Sequence, residues 1–441
     1  VTAPQNAPRR VHVLGGNRIP FGKIGGAYRG VSNRDMMTAA LDGLIARYSL
    51  QNERIGEVAG GAVLKRAADF NLTRESVLGT ALDPHTPAID MQKACATGLE
   101  TLNFVTAKIR LGQIDSGIAG GVDSASDAPI EVSDSLRRKL HTLSRAKTAG
   151  QRLSLVGSLR PSDFAPLAPR NSEPRTGLSM GEHQAITTRE WGITREEQDE
   201  LAAASHRNLA AAYEEGFFDT LMTGYRGCGR DEFLRPDTTV EKLAGLKTVF
   251  GKEQATMTAG NSTGLSDGAS AVLVGTEEWA AARGLTPLAE VVDFRAAATD
   301  YVHGDEGLLM APVEAMPRLL ADNGLTIDDI DFFEIHEAFA GTVLSTLKAW
   351  ESREYMVDRL GFDDVLGTVP REKLNVKGSS LAAGHPFAAT GGRIVASLAT
   401  MLRTAADDTG RTQRGVISVC AASGQGVVCL LQAEPVGQED K

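Results

Sequence analysis

Long apolar runs are missing from this chain, as are most cysteines and any excess of positive charge. No stretch reaches the roughly 18 to 20 apolar residues that a membrane-spanning helix needs. The opening residues, VTAPQNAPRRVHVLGG, lack the apolar core of a secretory signal, so a cytoplasmic location is expected. Only four cysteines occur, Cys95, Cys228, Cys420 and Cys429, with no CxxC spacing. That argues against a disulfide framework or a zinc site, and leaves the thiols free for chemistry in a reducing compartment. The net charge of −10 argues against a nucleic-acid partner, since no basic excess offsets phosphate.

What is present is a globular composition, 42 % hydrophobic and 23 % charged, over 441 residues. That length exceeds one ordinary core and predicts two or three domains. The organising stretch is Ala88–Arg110, AIDMQKACATGLETLNFVTAKIR. A short apolar approach ends at Cys95, and Leu99, Leu102, Val105 and Ile109 then recur at helical spacing, with Gly112 as a stop. Cys95 is thereby placed at or near a helix N-terminus, where unpaired N–H groups lower a thiol's pKa. Taken alone, it reads first as a small buried core residue, as most free cysteines are.

Strands are predicted at 10–16, Val58–Leu64 (broken by Gly60-Gly61), Ser116–Val122, Ser266–Gly275, Pro287–Phe294, Asp331–Ile335, Val416–Cys420 and Gly426–Leu431. Helices are predicted at Asp35–Tyr48, Ser76–Leu82, Thr194–Glu215, Glu277–Arg283, Val313–Asn323, Ala338–Trp350 and after His385. Thr194 and Glu197 match a capping box. From about 124 to 260 the sequence turns polar and Pro-containing. Within it, Arg137, Arg138, Lys139, Arg145, Lys147, Arg152 and Arg160 form a basic stretch without an intervening acid, read by default as a solvated face. A helix after Cys95 is followed by the strands at 116–122 and 266–275, and a helix after His385 by two strands joined through AASGQG. This order of elements predicts a duplicated, layered α/β unit with a long insertion in its first copy.

Four reactive side chains fall at predicted element ends: Cys95, His336 in EIHEAFA, His385 in AAGHPFAATGG and Cys420 in SVCAASGQG. Each has a structural reading of its own, but together they indicate a nucleophilic cysteine with histidine partners.

The ordered motifs RIPFG, the segment around Cys95, Met180-Gly181-Glu182 with ITREEQDELAAASH, TAGNSTGLSDGAS (Thr258–Ser270), HEAFA, GHPFAATGGR and CAASGQG run nearly end to end. In these the sequence resembles the thiolases. It is most similar to β subunits of the fatty-acid-oxidation trifunctional complex, by His336 where many thiolases have Asn, by LRRKLHTLSRAKTAGQRLSLVGSLR, and by KAWESREYMVDRLGF before the GHP motif.

The resemblance implies a duplicated α-β-α-β-α fold: an N-terminal domain of residues 1–123 and 264–284, an inserted loop domain of 124–263 covering coenzyme A, and a C-terminal domain of 285–441. It implies that Cys95 attacks a thioester carbonyl and carries the acyl group, that His385 takes its proton and later stabilises the thioester oxygen, and that Cys420 is the acid/base at the α-carbon. His336 would help hold a donor, through a water, for the enolate oxygen. Backbone N–H groups of Cys95 and Ala422 would form a second oxyanion site, each such donor being worth roughly 3 kcal/mol. Met180, Ser262, Thr263, Ala338 and Phe339 would line the path of coenzyme A and the acyl chain. Coenzyme A is a substrate, and no permanently bound cofactor or metal is expected.

A homodimer or tetramer is implied, and an α subunit carrying hydratase and dehydrogenase activity is a further candidate partner. Beside the solvated face, residues 137–160 are readable as a contact for coenzyme A phosphates, for that partner subunit or for a membrane surface. Three departures are noted: Ser179 where many short-chain thiolases have His, VKGSS where Asn-Gly-Gly is common, and Ala422-Ser423 where Gly is usual. The reaction expected is CoA-dependent cleavage of a 3-ketoacyl-CoA to acetyl-CoA and a shortened acyl-CoA. The alternatives are a short-chain acetyl-CoA acetyltransferase, a decarboxylating ketosynthase, which would not need Cys420, and a non-catalytic lipid-binding scaffold.

Overall fold

The computed structural model describes residues 8–251 and 255–436. Residues 1–7, 252–254 and 437–441, which belong to the predicted domain ends and insertion, lie outside the described residues. Nine strands form the main path of one mixed sheet: β1 (His12–Arg18), β2 (Glu57–Gly60), β3 (Ala88–Asp90), β4 (Ser116–Ser124), β5 (Ser266–Gly275), β6 (Ala289–Ala298), β7 (Phe332–Ile335), β8 (Gln413–Ala421) and β9 (Gln425–Ala433). Their spatial order is β7-β8-β9-β6-β1-β5-β4-β2-β3, and Gly22–Lys23 pairs with β5.

The order is symmetric about the contact between β1 and β6, where His12 faces Glu290 and Val13 faces Ala289. Outward on one side come β5 and β4, each antiparallel to its inner neighbour, then β2, parallel to β4. On the other side β9 and β8 are antiparallel in the same way, and β7 is parallel to β8. The expected duplication is therefore visible as topology. Beyond β2, β3 adds a further parallel pair at one edge without a counterpart at the other. Parallel neighbours need a crossover, and helices supply it.

The helices that matter for the site are α1 (Asn33–Arg47), α2 (Thr97–Arg110), α3 (Asp134–Arg145), α4 (Ala149–Gly157), α5 (Met180–Glu190), α6 (Arg195–Glu214), α7 (Ala311–Asp322), α8 (Ala340–Glu351) and α9 (Thr390–Thr409). Side chains alternate across each strand, so every strand serves two layers. Val272 and Val274 of β5, with Val427 and Leu431 of β9, face a central layer made by Leu99, Leu102, Val105 and Ile109 of α2 and Ile394, Val395 and Leu398 of α9. The opposite faces pack outward. Ala271 and Leu273 meet Met37, Leu41 and Leu44 of α1, while Val428 and Leu430 meet Met316 and Leu320 of α7. The result is the α-β-α-β-α layering expected. Each fully buried Leu or Val contributes about 1.5–3 kcal/mol.

The two central helices begin almost in backbone contact. A Cβ on Gly391 would lie 2.4 Å from the Leu99 nitrogen, and one on Gly98 would lie 2.6 Å from the Ala388 oxygen. Only hydrogen fits at these positions. This close approach brings the loop carrying Cys95 to the loop carrying His385.

Ser266–Gly275 is observed with the predicted bounds, and α6 carries the predicted capping box at Thr194 and Glu197. Two elements differ from expectation. The strand predicted at Val58–Leu64 stops at Gly60, because Gly61 passes so close to the Met91 oxygen that a Cβ would sit 1.8 Å from it. The helix predicted at Ser76–Leu82 instead spans Leu72–Leu78. Its start is fixed from outside, by the Asp90 carboxylate accepting the Leu72 and Thr73 N–H groups at 3.0 and 2.7 Å. A cap supplied by another strand leaves no local sequence signal. Residues 125–265, between β4 and β5, add no strand to the large sheet among the described residues. No helix of the described residues is long and apolar enough to cross a membrane.

Candidate active site

Four loops meet at one point of the central layer. Cys95 follows β3 and precedes α2 by two residues, and is half-buried. Ala94 turns the chain there at φ 46°, an unusual conformation for a residue with a side chain. The turn is braced by Thr97, whose hydroxyl donates to the Ala94 oxygen at 2.7 Å and accepts the Lys93 N–H at 2.8 Å.

His385 follows Gly384, itself at φ 95°. Its N–H donates to Ser266 Oγ at 2.9 Å, and its Nδ1 lies 2.6 Å from Thr390 Oγ1 in the first turn of α9. His336 directly follows β7, with its N–H donating to the Ser418 oxygen at 2.8 Å and its Nδ1 at 2.8 Å from Ser380 Oγ. The two imidazoles are neighbours, with centroids 4.1 Å apart. Both Nε2 atoms are buried with no protein partner among the described residues. Cys420 lies near the end of β8, buried.

Burial sets the protonation of this group. The Cys95 thiol is pushed up to about 12, because desolvation outweighs the N–H groups of Ala422 and Cys95 itself that favour the thiolate, while Asp123 and Glu173 add repulsion. This corrects the expectation that the helix N-terminus would give a low thiol pKa. The N–H groups are there, but the loss of water costs more than they return. Cys420 is likewise raised, by burial and by the nearby Cys95. His385 is pushed down to about 3, by burial and then by Arg393. His336 is also held well below its usual value, by burial, His385 and Arg393. At neutral pH the resting site thus holds two thiols and two neutral imidazoles. Charge arises only when a proton moves during reaction, which suits an imidazole acting as base toward a thiol.

The residues assigned by resemblance to the substrate path come together around Cys420. Met180, Ala338 and Phe339 pack with Cys420, Met257, Leu308 and Leu309 in one apolar cluster. Ser262 bridges to Phe339, and Thr263 donates to the Ala338 oxygen through both its N–H (3.1 Å) and its hydroxyl (2.9 Å). Beside Met180 lies a cleft of about 550 Å³ lined by Ser179, Ala185, Ile186, Arg189, Val249 and Phe250. The Phe250 ring meets that of Phe339 edge-on at 5.9 Å. Ala185 and Phe250 thus belong both to the cleft lining and to the apolar cluster that contains Cys420.

Several polar groups around the site were not singled out from sequence. Arg393, buried, donates to Ser379 and Ser380 Oγ at 3.2 and 3.1 Å. It was quoted only as the last letter of GHPFAATGGR. Asp123 accepts N–H groups from Leu64 (2.7 Å) and Ala388 (2.9 Å), which ties β4 to the loop that follows His385. Burial raises its carboxyl to about 7. Glu337 accepts from Ser205, Asn375 and the Leu381 N–H, linking α6 to the approach to His385. Glu173, from the polar insertion, accepts the Ser423 N–H at 2.8 Å. An Asp after a Gly-Gly strand was a readable hint; Glu173 had none.

A thiol with an amide N–H at its sulfur, a second thiol and two neutral imidazoles on a duplicated α/β fold are the equipment of a cysteine-dependent acyltransferase. Comparison with known proteins identifies the kind. The family model "Thiolase, N-terminal domain" matches residues 11–278 and "Thiolase, C-terminal domain" residues 285–433. The chain belongs to the thiolase family.

It is 38 % identical over 432 residues to a 3-ketoacyl-CoA thiolase of Pectobacterium atrosepticum, covering 97 % of each chain. It is 37 % identical to one of Alteromonas mediterranea, covering 96 % of this chain and 97 % of the other. Among solved structures, the acetyl-CoA acetyltransferase of Bacillus anthracis superposes with TM-score 0.79 at 28 % identity, over 97 % of this chain and 100 % of that one. Human mitochondrial 3-ketoacyl-CoA thiolase in complex with CoA superposes with TM-score 0.77 at 27 % identity, over 96 % and 98 %.

Proposed function

We propose that this thiolase works in the degradative direction, cleaving a 3-ketoacyl-CoA with coenzyme A into acetyl-CoA and an acyl-CoA shortened by two carbons. In the cleaving direction the carbonyl attacked is the 3-keto group. His385 Nε2 takes the Cys95 proton as sulfur bonds to C3. The C2–C3 bond then breaks, leaving the acyl group on Cys95 and an acetyl-CoA enolate whose oxygen the His336 side chain stabilises. Cys420 delivers its proton to C2, and acetyl-CoA leaves. Coenzyme A gives a proton to the site and attacks the acyl-enzyme, while the N–H groups of Cys95 and Ala422 hold the tetrahedral oxyanion. Cys95 departs as the thiol.

The observation that carries this reading is the pairing of two thiols, half-buried Cys95 and buried Cys420, with two buried neutral imidazoles. A decarboxylating ketosynthase makes its carbanion without Cys420, and a scaffold needs neither thiol. We assign residues 1–123 with 264–284 and residues 285–441 to the two catalytic domains, and residues 124–263 to a loop domain covering coenzyme A. Met180, Ser262, Thr263, Ala338 and Phe339 line the substrate path.

The hairpin of α3 and α4 is read as a contact for a hydratase/dehydrogenase α subunit or a membrane surface. It buries only Leu136 of its helical side chains and exposes Leu140, Leu153 and Val156 beside its arginines. Three of its cations are already matched, Arg137 and Arg138 by Asp134 and Lys139 by Asp163. A homodimer or tetramer in the cytoplasm completes the assignment.

The test is CoA-dependent loss of the Mg²⁺-enolate absorbance of 3-ketoacyl-CoA substrates from acetoacetyl-CoA upward, with Cys95→Ala and Cys420→Ala alongside. Strongest cleavage on longer chains, lost in both variants, supports the proposal. Activity confined to acetoacetyl-CoA makes the protein a short-chain acetyltransferase, and none at any length removes the thiolytic reading. Absence of binding at low salt, in both pull-down and liposome flotation, removes the partner and membrane contacts.

A further inference from the structure

The two imidazoles of the site have similar surroundings but need opposite hydrogen-bonding roles. A base toward Cys95 must present a lone pair at Nε2, whereas a group that stabilises an enolate oxygen must present a proton there. A neutral imidazole has one of each, and the partner of Nδ1 decides which nitrogen carries the proton.

At His336 that partner is Ser380 Oγ, at 2.8 Å. The same oxygen lies 3.1 Å from Arg393 Nη2. A guanidinium can only donate, so Arg393 occupies a lone pair of the hydroxyl. Ser380 is fully buried and its own proton needs an acceptor. Among the described residues the hydrogen bonds of this hydroxyl go to Arg393 and His336, and only His336 Nδ1 can accept. An imidazole that accepts at Nδ1 and is neutral carries its hydrogen on Nε2. That atom is buried, has no protein partner, and sits on a ring 4.1 Å from the His385 ring. A buried N–H left unsatisfied is unfavourable, and a substrate oxygen or water relieves this on binding.

We propose that Ser380, held by Arg393, is a positioning residue that fixes His336 as the Nε2–H tautomer and so makes it an obligate donor at the reaction centre. His385 is free of this constraint, since its Nδ1 faces the lone hydroxyl of Thr390, which can accept. Without Ser380, His336 can place its proton on Nδ1 instead, and both Nε2 atoms then compete as acceptors. The donor role rests on the thiolytic reading above; the tautomer assignment does not.

Two measurements test the proposal. The first needs no substrate: ¹⁵N NMR of histidine-labelled enzyme, with the His336 signals assigned by difference against His336→Asn. Wild type is expected to show a protonated Nε2 and an unprotonated Nδ1 at His336. Ser380→Ala shifts that ring toward the Nδ1–H form. Ser379→Ala, which removes the other hydroxyl on Arg393 but does not touch His336, leaves it unchanged. A His336 ring protonated at Nδ1 in the wild type overturns the assignment, whatever the enzyme's activity.

The second is a double-mutant cycle in thiolysis. Ser380→Ala is expected to lower kcat about 10- to 100-fold with KM changed less than about threefold. In the His336→Asn background, where the side-chain amide donates without tautomers, the same change costs less than about twofold. Equal losses in both backgrounds mean that Ser380 is merely structural, and no loss in the wild-type background means that the hydroxyl sets nothing. Should Ser380→Ala fail to fold, Ser380→Cys keeps the volume with a weaker donor and is expected to fall between wild type and His336→Asn in kcat. Wild-type kcat in Ser380→Cys refutes the proposal.

Discussion

Glu173 Oε1 accepts the backbone N–H of Ser423 at 2.8 Å, across 250 residues of sequence, and thereby ties the polar insertion to the turn after Cys420. Ser423 sits at φ 65°, where a residue with a side chain is disfavoured by about 1–2 kcal/mol. The neighbouring Ala422 presents its N–H to the Cys95 sulfur. Glu173 is itself buried and also meets the Tyr301 hydroxyl at 3.2 Å. The carboxylate therefore holds in place the turn that carries Ala422, the residue proposed above as an oxyanion donor.

Glu173→Ala is expected to lower kcat for thiolysis about 10- to 100-fold with little change in KM, since it loosens a donor whose full removal costs 10²–10³. Glu173→Gln keeps an oxygen for the Ser423 N–H and should retain most activity. Steady-state kinetics of the two variants check this; equal losses would show that the charge, and not the acceptor, is what counts.

The contact between the central helices should tolerate no side chain. Gly391→Ala drives a methyl to 2.4 Å from the Leu99 nitrogen, which is backbone and cannot swing aside. A loss of about 2 kcal/mol or more is expected, read as a fall of several degrees in thermal midpoint or as insoluble expression, together with activity lost beyond the stability effect. An active variant with an unchanged midpoint would show that the helices can part without disturbing Cys95 and His385.

What could be read from sequence followed range. Ser266–Gly275 and α6 announce themselves through an apolar run and a capping box four residues long. The four reactive side chains stand out because thiols and imidazoles are scarce and fall at element ends. The helix at Leu72–Leu78 was misplaced because its cap, Asp90, lies on another strand. Glu173 was invisible because a carboxylate in a Pro-containing loop resembles any solvated acid until the fold carries it to Ser423. The charge state of Cys95 escaped for a further reason. A helix N-terminus can be seen in sequence, but the desolvation that opposes it is a property of the packed site.

Acid should weaken the fold through His385. Its folded pKa of about 3 lies below the unfolded 6.5, so the unfolded chain binds the proton more readily and stability falls as pH drops from 6.5. Full titration is worth about 5 kcal/mol, and about 2 kcal/mol between pH 6.5 and 5. Asp123 and Glu334, raised by burial to about 7 and about 8, act in the opposite sense over this range. The comparison is therefore between wild type and His385→Asn, by denaturant unfolding at pH 7 and pH 5 at one protein concentration. His385→Asn should lose about 2 kcal/mol less; identical losses would mean that His385 is protonated in the folded state.

The two thiols should separate by half-reaction. In the proposed mechanism, moving an acetyl group from one coenzyme A to another uses Cys95, His385 and the N–H groups of Cys95 and Ala422, but no proton leaves or reaches the α-carbon. Cys420 lies among Met257, Leu308, Ala338 and Phe339, an environment suited to a carbanion-side acid and remote in role from the acyl transfer. Cys420→Ala should therefore lose thiolysis by at least about 10³-fold while retaining exchange of labelled coenzyme A into acetyl-CoA within about tenfold of wild type. Cys95→Ala should lose both. If Cys420→Ala abolished exchange as well, the second thiol would be acting on Cys95 itself, and the division of labour between the two halves of the duplicated fold would have to be redrawn.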